Sequence, residues 1–147
     1  MKGTVRLGEL YAKYRKRVAF LSIYIREAHP KDGWWLGSGI PGLLLKLSKS
    51  KAATEIYDPQ TLDERRAVAD QCEQALEHGI PTYVDEMDDR VSEAYAAKPT
   101  RLYLVGEDGK VVYAGGLGPF GFRPEAFGTA IEKYLTETVH SPVQQTQ

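Results

Sequence analysis

The chain has few of the residues that build disulfides and metal clusters. Among 147 residues there is one cysteine, Cys72, and there are three histidines. A lone cysteine excludes an intramolecular disulfide and a cysteine-rich metal site. Because the histidines are scattered, with His78 and His140 predicted at the surface, no metal site is expected.

Long hydrophobic runs are also absent. The longest apolar run near the start, Val18–Ile25, is far below the ~20 residues that a membrane span requires. Residues 1–17 are polar and basic, without the apolar core of a signal peptide. The sequence therefore predicts a cytoplasmic protein without a membrane segment.

No excess of charge of either sign is present. Lys and Arg total 19 against 20 Asp and Glu, for a net charge of −1. This balance excludes a nucleic-acid binder that relies on bulk positive charge. With 42% hydrophobic and 27% charged residues, the composition is that of a globular domain. We expect one domain over residues 1–138 and a flexible polar tail over 139–147.

The residue pattern predicts helices and strands in alternation, and hence an α/β domain with a mixed sheet. The segment 18–26 is apolar almost throughout, which predicts a strand buried on both faces. Thr61 and Glu64 form a capping-box pattern, and Gly79 suits the end of the helix that follows. The other predicted elements are helices near 7–17, 62–77, 88–97 and 124–136, and strands at 81–85, 101–106 and 110–114 with an Asp-Gly turn between the last two.

The segment 36–54 has the least regular pattern. Gly37, Gly39 and Gly42 interrupt it before a leucine-rich stretch. We expect an inserted loop or a short apolar helix here.

Three stretches resemble the iodothyronine deiodinase family. They are FLSIYIREAHPKDGW (20–34), DPQTLDERRAVA (58–69) and RLYLVGEDGKVVYAGGLGPFGFRPE (101–125). The resemblance extends from Leu10 to Leu135. It implies a thioredoxin-like mixed sheet with a peroxiredoxin-type insertion, formed by the helix at 62–77 and the strand at 81–85.

The resemblance also implies that the first core strand and the redox motif are missing from this chain. The family's selenocysteine or cysteine would lie upstream of the equivalent of Leu7. Cys72 is predicted inside a helix, as a small buried hydrophobe, and does not replace it. Residues 59–61 also lack the family's histidine. Without its central strand, the sheet is expected to divide into two halves with unpaired inner edges, so the chain would be marginally stable, unfolded or held by a partner.

The place of Met1 suggests a reason for this absence. A selenocysteine codon is normally read as stop, and a gene assignment that meets it would restart at the next methionine. We therefore expect a selenoprotein, or a related redox protein, whose N-terminal part is lost from the assigned chain. The competing interpretation is a naturally truncated, inactive relative.

Glu27 and His29 are the predicted catalytic residues. They follow a predicted strand at its C-terminal end, where α/β folds place ligands, and their spacing puts both side chains on one side. A carboxylate can fix the tautomer of an imidazole and supply protons. The residues alone leave open an ordinary loop pair, and the resemblance implies the catalytic role.

Four further residues are assigned to the site. The resemblance implies that Tyr24 and Arg101 bind substrate, with Arg101 fixing a carboxylate or phenolate. Trp34 is predicted to bind substrate by lining an aromatic ligand pocket. The alternatives are a core tyrosine, a solvated arginine and a tryptophan that caps the core. Pro99 is expected beside the redox residue as a cis-proline.

Two functions from different classes follow. The first is a deiodinase-like oxidoreductase, acting by reductive dehalogenation such as thyroxine deiodination or by thiol and peroxide reduction. Its partners would be an aromatic halide or peroxide and a thiol reductant, with no bound cofactor and with a homodimer possible. The second is a redox-inactive thioredoxin-fold binding module, which keeps the pocket or pairs its open sheet edge with a partner.

Overall fold

Helices and strands alternate along the chain in the predicted order. The computed structural model describes residues 2–26 and 57–140, and the predicted insertion at 36–54 lies outside them. Within the described ranges the elements are α1 (Lys2–Tyr14), β1 (Ser22–Tyr24), α2 (Leu62–Leu76), β2 (Thr82–Val84), α3 (Arg90–Ala94), β3 (Tyr103–Val105), β4 (Val111–Ala114) and α4 (Pro124–His140). The α/β class is confirmed, and α4 continues past the predicted end at Thr136.

The strands form two separate two-stranded sheets. β1 pairs in parallel with β2, with Ile23 opposite Tyr83. β3 pairs antiparallel with β4, with Leu104 opposite Tyr113. No strand pairing joins the two sheets within the described ranges, so one edge of β1 and one edge of β3 have no strand partner there. This arrangement agrees with the expected division into two halves.

β1 is shorter and more exposed than predicted. Its ladder covers three residues, all half-buried, and Leu21 just before it is 59% exposed. The prediction of a strand over 18–26 buried on both faces is therefore wrong. The continuous apolar run is typical of a central strand, whereas β1 has a single neighbour within the described residues.

The core of the molecule lies between α1, α4 and the β3–β4 hairpin. Its fully buried side chains are Tyr14, Leu104, Phe127 and Ile131. α1 and α4 approach closely at Gly128, where a β-carbon would stand 2.8 Å from Cδ2 of Leu10. A larger residue at position 128 would therefore require the end of the Leu10 side chain to shift.

α1 also contacts the half of the molecule that contains β1 and β2. Its Gly8 packs against His78, and its Tyr11 meets Phe20 edge-to-face with ring centroids 5.6 Å apart. His78 is only 9% exposed, and its Nδ1 accepts a hydrogen bond from the amide of Ile80 at 3.1 Å. The prediction of a surface histidine at this position is wrong, because α1 covers it.

The capping box predicted at the start of α2 is confirmed, whereas the left-handed residue that ends the helix is Glu77 rather than the predicted Gly79. The amide of Glu64 donates to Oγ1 of Thr61 at 3.2 Å. The Glu64 carboxylate accepts in turn from the amide of Gln60 at 2.7 Å. The helix ends at Leu76, and Glu77 takes a left-handed conformation with φ 47°.

A buried charge ties α2 to the end of β2. Arg65 is 1% exposed, and its Nη1 donates to the carbonyl of Glu86 at 2.6 Å and contacts Oδ1 of Asp89 at 2.9 Å. The buried carboxylate of Asp85 accepts from the amides of Glu86, Val91 and Ser92 at 2.8–3.1 Å. These contacts fix α3 against the strand that precedes it.

Candidate functional site

A cavity of about 270 Å³ lies along β1 and the two residues that follow it. One face of α2 forms a second wall, and the chain just before β3 forms a third. Ile25 and Arg26, on the first wall, lie beyond the carboxyl end of β1, where α/β folds bind ligands. The lining residues are Ser22–Arg26, Ala69, Cys72, Glu73, Leu76, His78, Thr82, Pro99 and Thr100.

Arg26 closes the end of β1 with an ion-pair network. Its Nη2 and Nε lie 2.6 and 3.1 Å from Oδ2 of Asp58, and its Nη1 lies 3.9 Å from Asp89. The hydrogen bond to Asp58 and the charge of that carboxylate raise the pKa of Arg26. The guanidinium charge is thus compensated by carboxylates of this chain.

The predicted catalytic pair is not within the described residues. Glu27 and His29, together with Trp34, fall in the range 27–56, so their roles stay predictions. Tyr24 is described, is half-buried and lines the cavity. In the sequence, Glu27 directly follows Arg26, which is the last cavity-lining residue of the β1 segment.

Pro99 lies on the third wall of the cavity with Thr100. The Lys98–Pro99 peptide bond is cis, the form that the resemblance implies. The structure therefore brings Pro99 and Tyr24 to one cavity.

Arg101 is held by the protein rather than free in solvent. Its Nε donates to the carbonyl of Gly115 at 2.7 Å, and its guanidinium carbon lies 5.2 Å from the centroid of the Tyr103 ring. The Tyr103 ring meets that of Tyr95 edge-to-face, with centroids 5.0 Å apart. The sequence analysis missed both tyrosines, although Arg101 and Tyr103 share one face of a strand by their spacing.

Cys72 is half-buried and lies on the cavity wall, so its predicted place as a buried core residue is wrong. Position 72 falls inside α2, away from the free N–H groups at the start of the helix. Those N–H groups are one device that lowers the pKa of a redox thiol. The location agrees with the expectation that Cys72 does not replace the family's redox residue.

The described residues contain neither a group of side chains suited to a metal ion nor a membrane-spanning helix. In residues 2–26 and 57–140 no three His, Cys, Asp or Glu side chains are grouped as a metal site would need. None of the helices in these ranges combines the length and apolar character that crossing a bilayer demands.

Comparison with known proteins identifies the family. The family model of iodothyronine deiodinase matches residues 5–135. Thyroxine 5-deiodinase of Ovis aries is 33% identical over 138 residues, which cover 90% of this chain and 40% of the relative. The enzyme of that name from Gallus gallus is 38% identical over 120 residues, covering 80% of this chain and 40% of the relative. Type I iodothyronine deiodinase of Xenopus laevis is 33% identical over 133 residues, which cover 87% of this chain and 46% of the relative.

The chain spans less than half the length of these three relatives. The residues matched by the family model nevertheless include all of the described strands and all of the residues that line the cavity. The chain therefore belongs to the iodothyronine deiodinase family.

Proposed function

We propose that the chain forms the substrate-binding and proton-handling part of a deiodinase-like oxidoreductase, which removes iodine from an aromatic ring such as that of thyroxine. The observation that carries this proposal is the cavity along β1. In a chain of this family, Tyr24 and Pro99 line one cavity, and the last lining residue of the β1 segment, Arg26, directly precedes Glu27 in the sequence. Thiol or peroxide reduction is the other reaction open to the same site.

The nucleophile is proposed to lie upstream of Met1, as a selenocysteine or cysteine that follows a central strand. Support comes from the two separate sheets, since β1 and β3 each have an edge without a strand partner in the described ranges. The unpaired edge of a strand presents backbone N–H and C=O groups that a further strand can bind. A strand between β1 and β3 would satisfy them and complete a thioredoxin-like sheet, with α2 and β2 as the peroxiredoxin-type insertion.

The chemistry needs one proton for each turnover. The selenolate or thiolate attacks the iodine, the carbon–iodine bond breaks, and the ring carbon takes a proton. Two thiols then reduce the selenenyl or sulfenyl iodide, releasing iodide, two protons and a disulfide, and restoring the nucleophile. For a peroxide, the nucleophile attacks one oxygen and the leaving oxygen takes the proton.

The proposed roles of this chain's residues follow from that balance. His29 delivers the proton, and Glu27 holds the imidazole in one tautomer. Tyr24 and Trp34 contact the aromatic rings, and Arg101 binds an anionic end of the substrate.

The direct test is iodide release from thyroxine, with dithiothreitol as reductant, by the chain extended through its upstream redox residue. We expect Glu27→Gln and His29→Gln to lower kcat by about 10²–10⁴-fold, the usual contribution of general acid–base catalysis. Glu137→Gln is the matched control, because Glu137 pairs with Lys133 on the surface of α4, and it should leave kcat unchanged. Absence of iodide release and of peroxide turnover by the extended protein would contradict the proposal.

The gene provides an independent test. An in-frame TGA upstream of Met1, preceded by codons for an apolar strand, is expected for a selenoprotein. A cysteine codon at that position would indicate a thiol enzyme. An unrelated sequence would contradict both.

The second candidate function is a redox-inactive binding module of thioredoxin fold. The observation that favours it is the placement of the chain's single cysteine inside α2, while the cavity and the anchored Arg101 are retained. Binding of thyroxine by the chain, without turnover by any extended form, would support this function over the first.

A further inference from the structure

We propose that Tyr103 and Tyr95 are positioning residues that hold Arg101 as a preformed site for the carboxylate end of a ligand. The inference deepens the proposed function and rests on it for the identity of that ligand. Its basis is the Arg101 cluster, which we define as Arg101, Tyr103, Tyr95 and Gly115.

The first anchor of the guanidinium is a backbone carbonyl. Nε of Arg101 donates to the Gly115 oxygen at 2.7 Å. Gly115 is itself fixed, because its amide donates to the carbonyl of Leu102 at 2.8 Å. The β3–β4 hairpin therefore sets the direction in which the Nε–H of Arg101 points.

The second anchor is the aromatic ring of Tyr103. The guanidinium carbon lies 5.2 Å from its centroid, within the range of a cation–π contact. The ring is held in turn by Tyr95, which meets it at 76° and whose carbonyl accepts a hydrogen bond from the Tyr103 hydroxyl. Tyr95 directly follows α3, which Asp85 ties to the end of β2. The orientation of the arginine thus depends on three separate segments.

These anchors leave one edge of the guanidinium for a ligand. Among the described residues, neither terminal nitrogen of Arg101 has a hydrogen-bond or ion-pair partner. Two parallel N–H groups match the two oxygens of a carboxylate, whereas a phenolate offers one oxygen. The geometry therefore favours a carboxylate over a phenolate.

The location agrees with this role. Arg101 directly follows Pro99 and Thr100 on the cavity wall. The arginine that lines the cavity, Arg26, is compensated by Asp58 and Asp89. Arg101, next in the chain to the cavity-lining Thr100, has no ion pair with a carboxylate of the described residues.

The first experiment measures the rigidity of Arg101 in the ligand-free chain. In NMR spectra, the Nε–H of an anchored arginine exchanges slowly with water. We expect Tyr103→Leu to raise the exchange rate of this proton by about tenfold, and Tyr103→Phe, which keeps the ring, to raise it less. Tyr83→Leu is the control, because Tyr83 is exposed on β2. Equal exchange in the parent chain and in Tyr103→Leu would overturn the positioning role.

The second experiment tests the carboxylate. We expect 4-hydroxyphenylacetate to bind at least about tenfold more tightly than its methyl ester, as for a charge-assisted hydrogen bond. Arg101→Lys keeps the charge but loses the paired N–H groups, so this ratio should fall severalfold. Tyr103→Leu should lower the ratio under conditions in which its unfolding curve shows the variant to be fully folded, which a merely structural role would not do. Equal affinity of acid and ester for the parent chain would overturn the inference.

A third probe separates the inference from the proposed function. Tetraiodothyroacetic acid and its methyl ester carry the iodinated rings as well. If the simple acid is preferred over its ester but neither iodinated compound binds, the proposed function is wrong and the carboxylate site stands. If both iodinated compounds bind with equal affinity, the iodinated substrate is supported and the inference is wrong.

Discussion

At the scale of single residues, neighbouring arginines on α2 have opposite environments. Arg65 is buried and contacts the Glu86 carbonyl and Asp89. Arg66 is exposed and pairs with Asp63 one turn away. A buried charge that loses its partner is costly, whereas an exposed pair contributes about 0–1 kcal/mol.

We therefore predict that Arg65→Met lowers the free energy of unfolding by about 3–5 kcal/mol, because it leaves Asp89 with only the more distant Arg26 and the partly buried Glu86 carbonyl without this donor. The measurement is urea denaturation. Arg66→Met is the matched control and should change the value by no more than about 0.5 kcal/mol. Equal effects of the two substitutions would show that the buried contacts do not stabilise the fold.

Single residues also show what the sequence could and could not reveal. The cap formed by Thr61 and Glu64 is predictable, because both partners are three residues apart and need no tertiary contact. The burial of His78 is not, since it depends on α1, some seventy residues earlier in the chain. The anchoring of Arg101 by Gly115 likewise joins two strands whose register the sequence does not state. The catalytic roles of Glu27 and His29 stay predictions.

At the scale of elements, short segments depend on side chains for their ends. α3 has five residues, too few to be stable alone. Asp85 binds the amides of Val91 and Ser92 at its start. In the β3–β4 turn, Asp108 plays a comparable part: its carboxylate accepts from the Lys110 amide at 3.1 Å, and Gly109 supplies a φ of +76°.

The Asp108 turn predicts a pH dependence of the hairpin. The hydrogen bond from the Lys110 amide, followed by that from its side chain, lowers the pKa of Asp108 below its ordinary value of 3.8. A lowered pKa means that the carboxylate stabilises the folded turn above that ordinary value, and that this stabilisation is lost as pH falls through the folded pKa. The Lys110 amide shift in NMR spectra, followed from about pH 6 to about pH 2.5, should report this loss.

Asp108→Asn retains an oxygen acceptor but has no charge to titrate. The pH-dependent change of the Lys110 amide shift should therefore disappear in this variant. If the same midpoint persists, the titrating group is not Asp108.

At the scale of the whole molecule, the two small sheets are connected by α1 and Phe20 rather than by backbone pairing within the described residues. The order of the elements was predictable from local patterns of apolar residues. The exposure of β1 was not, because a continuous apolar run does not say whether both neighbouring strands are present.

This division predicts two zones of stability. Ile131 is fully buried between α4 and the hairpin, so Ile131→Ala should cost about 2–5 kcal/mol. Hydrogen exchange should accelerate first at the hairpin amides of Gly106 and Gly115, and less at those of Ser22 and Asp85 in the β1–β2 half. Leu21→Ala, at an exposed position, should leave both sets unchanged. Equal acceleration in both halves would indicate a single cooperative unit.

The Arg26–Asp58 ion pair has a consequence for how chains of this type vary in length. The pair joins residues 32 positions apart, at the end of β1 and just before α2. Whatever lies between them enters and leaves at one point, so insertions there need not displace the strand or the helix. The closure entropy of such a segment rises by only about 0.6 kcal/mol for each doubling of its length. Between these two residues the domain can thus gain or lose sequence at little cost to its stability.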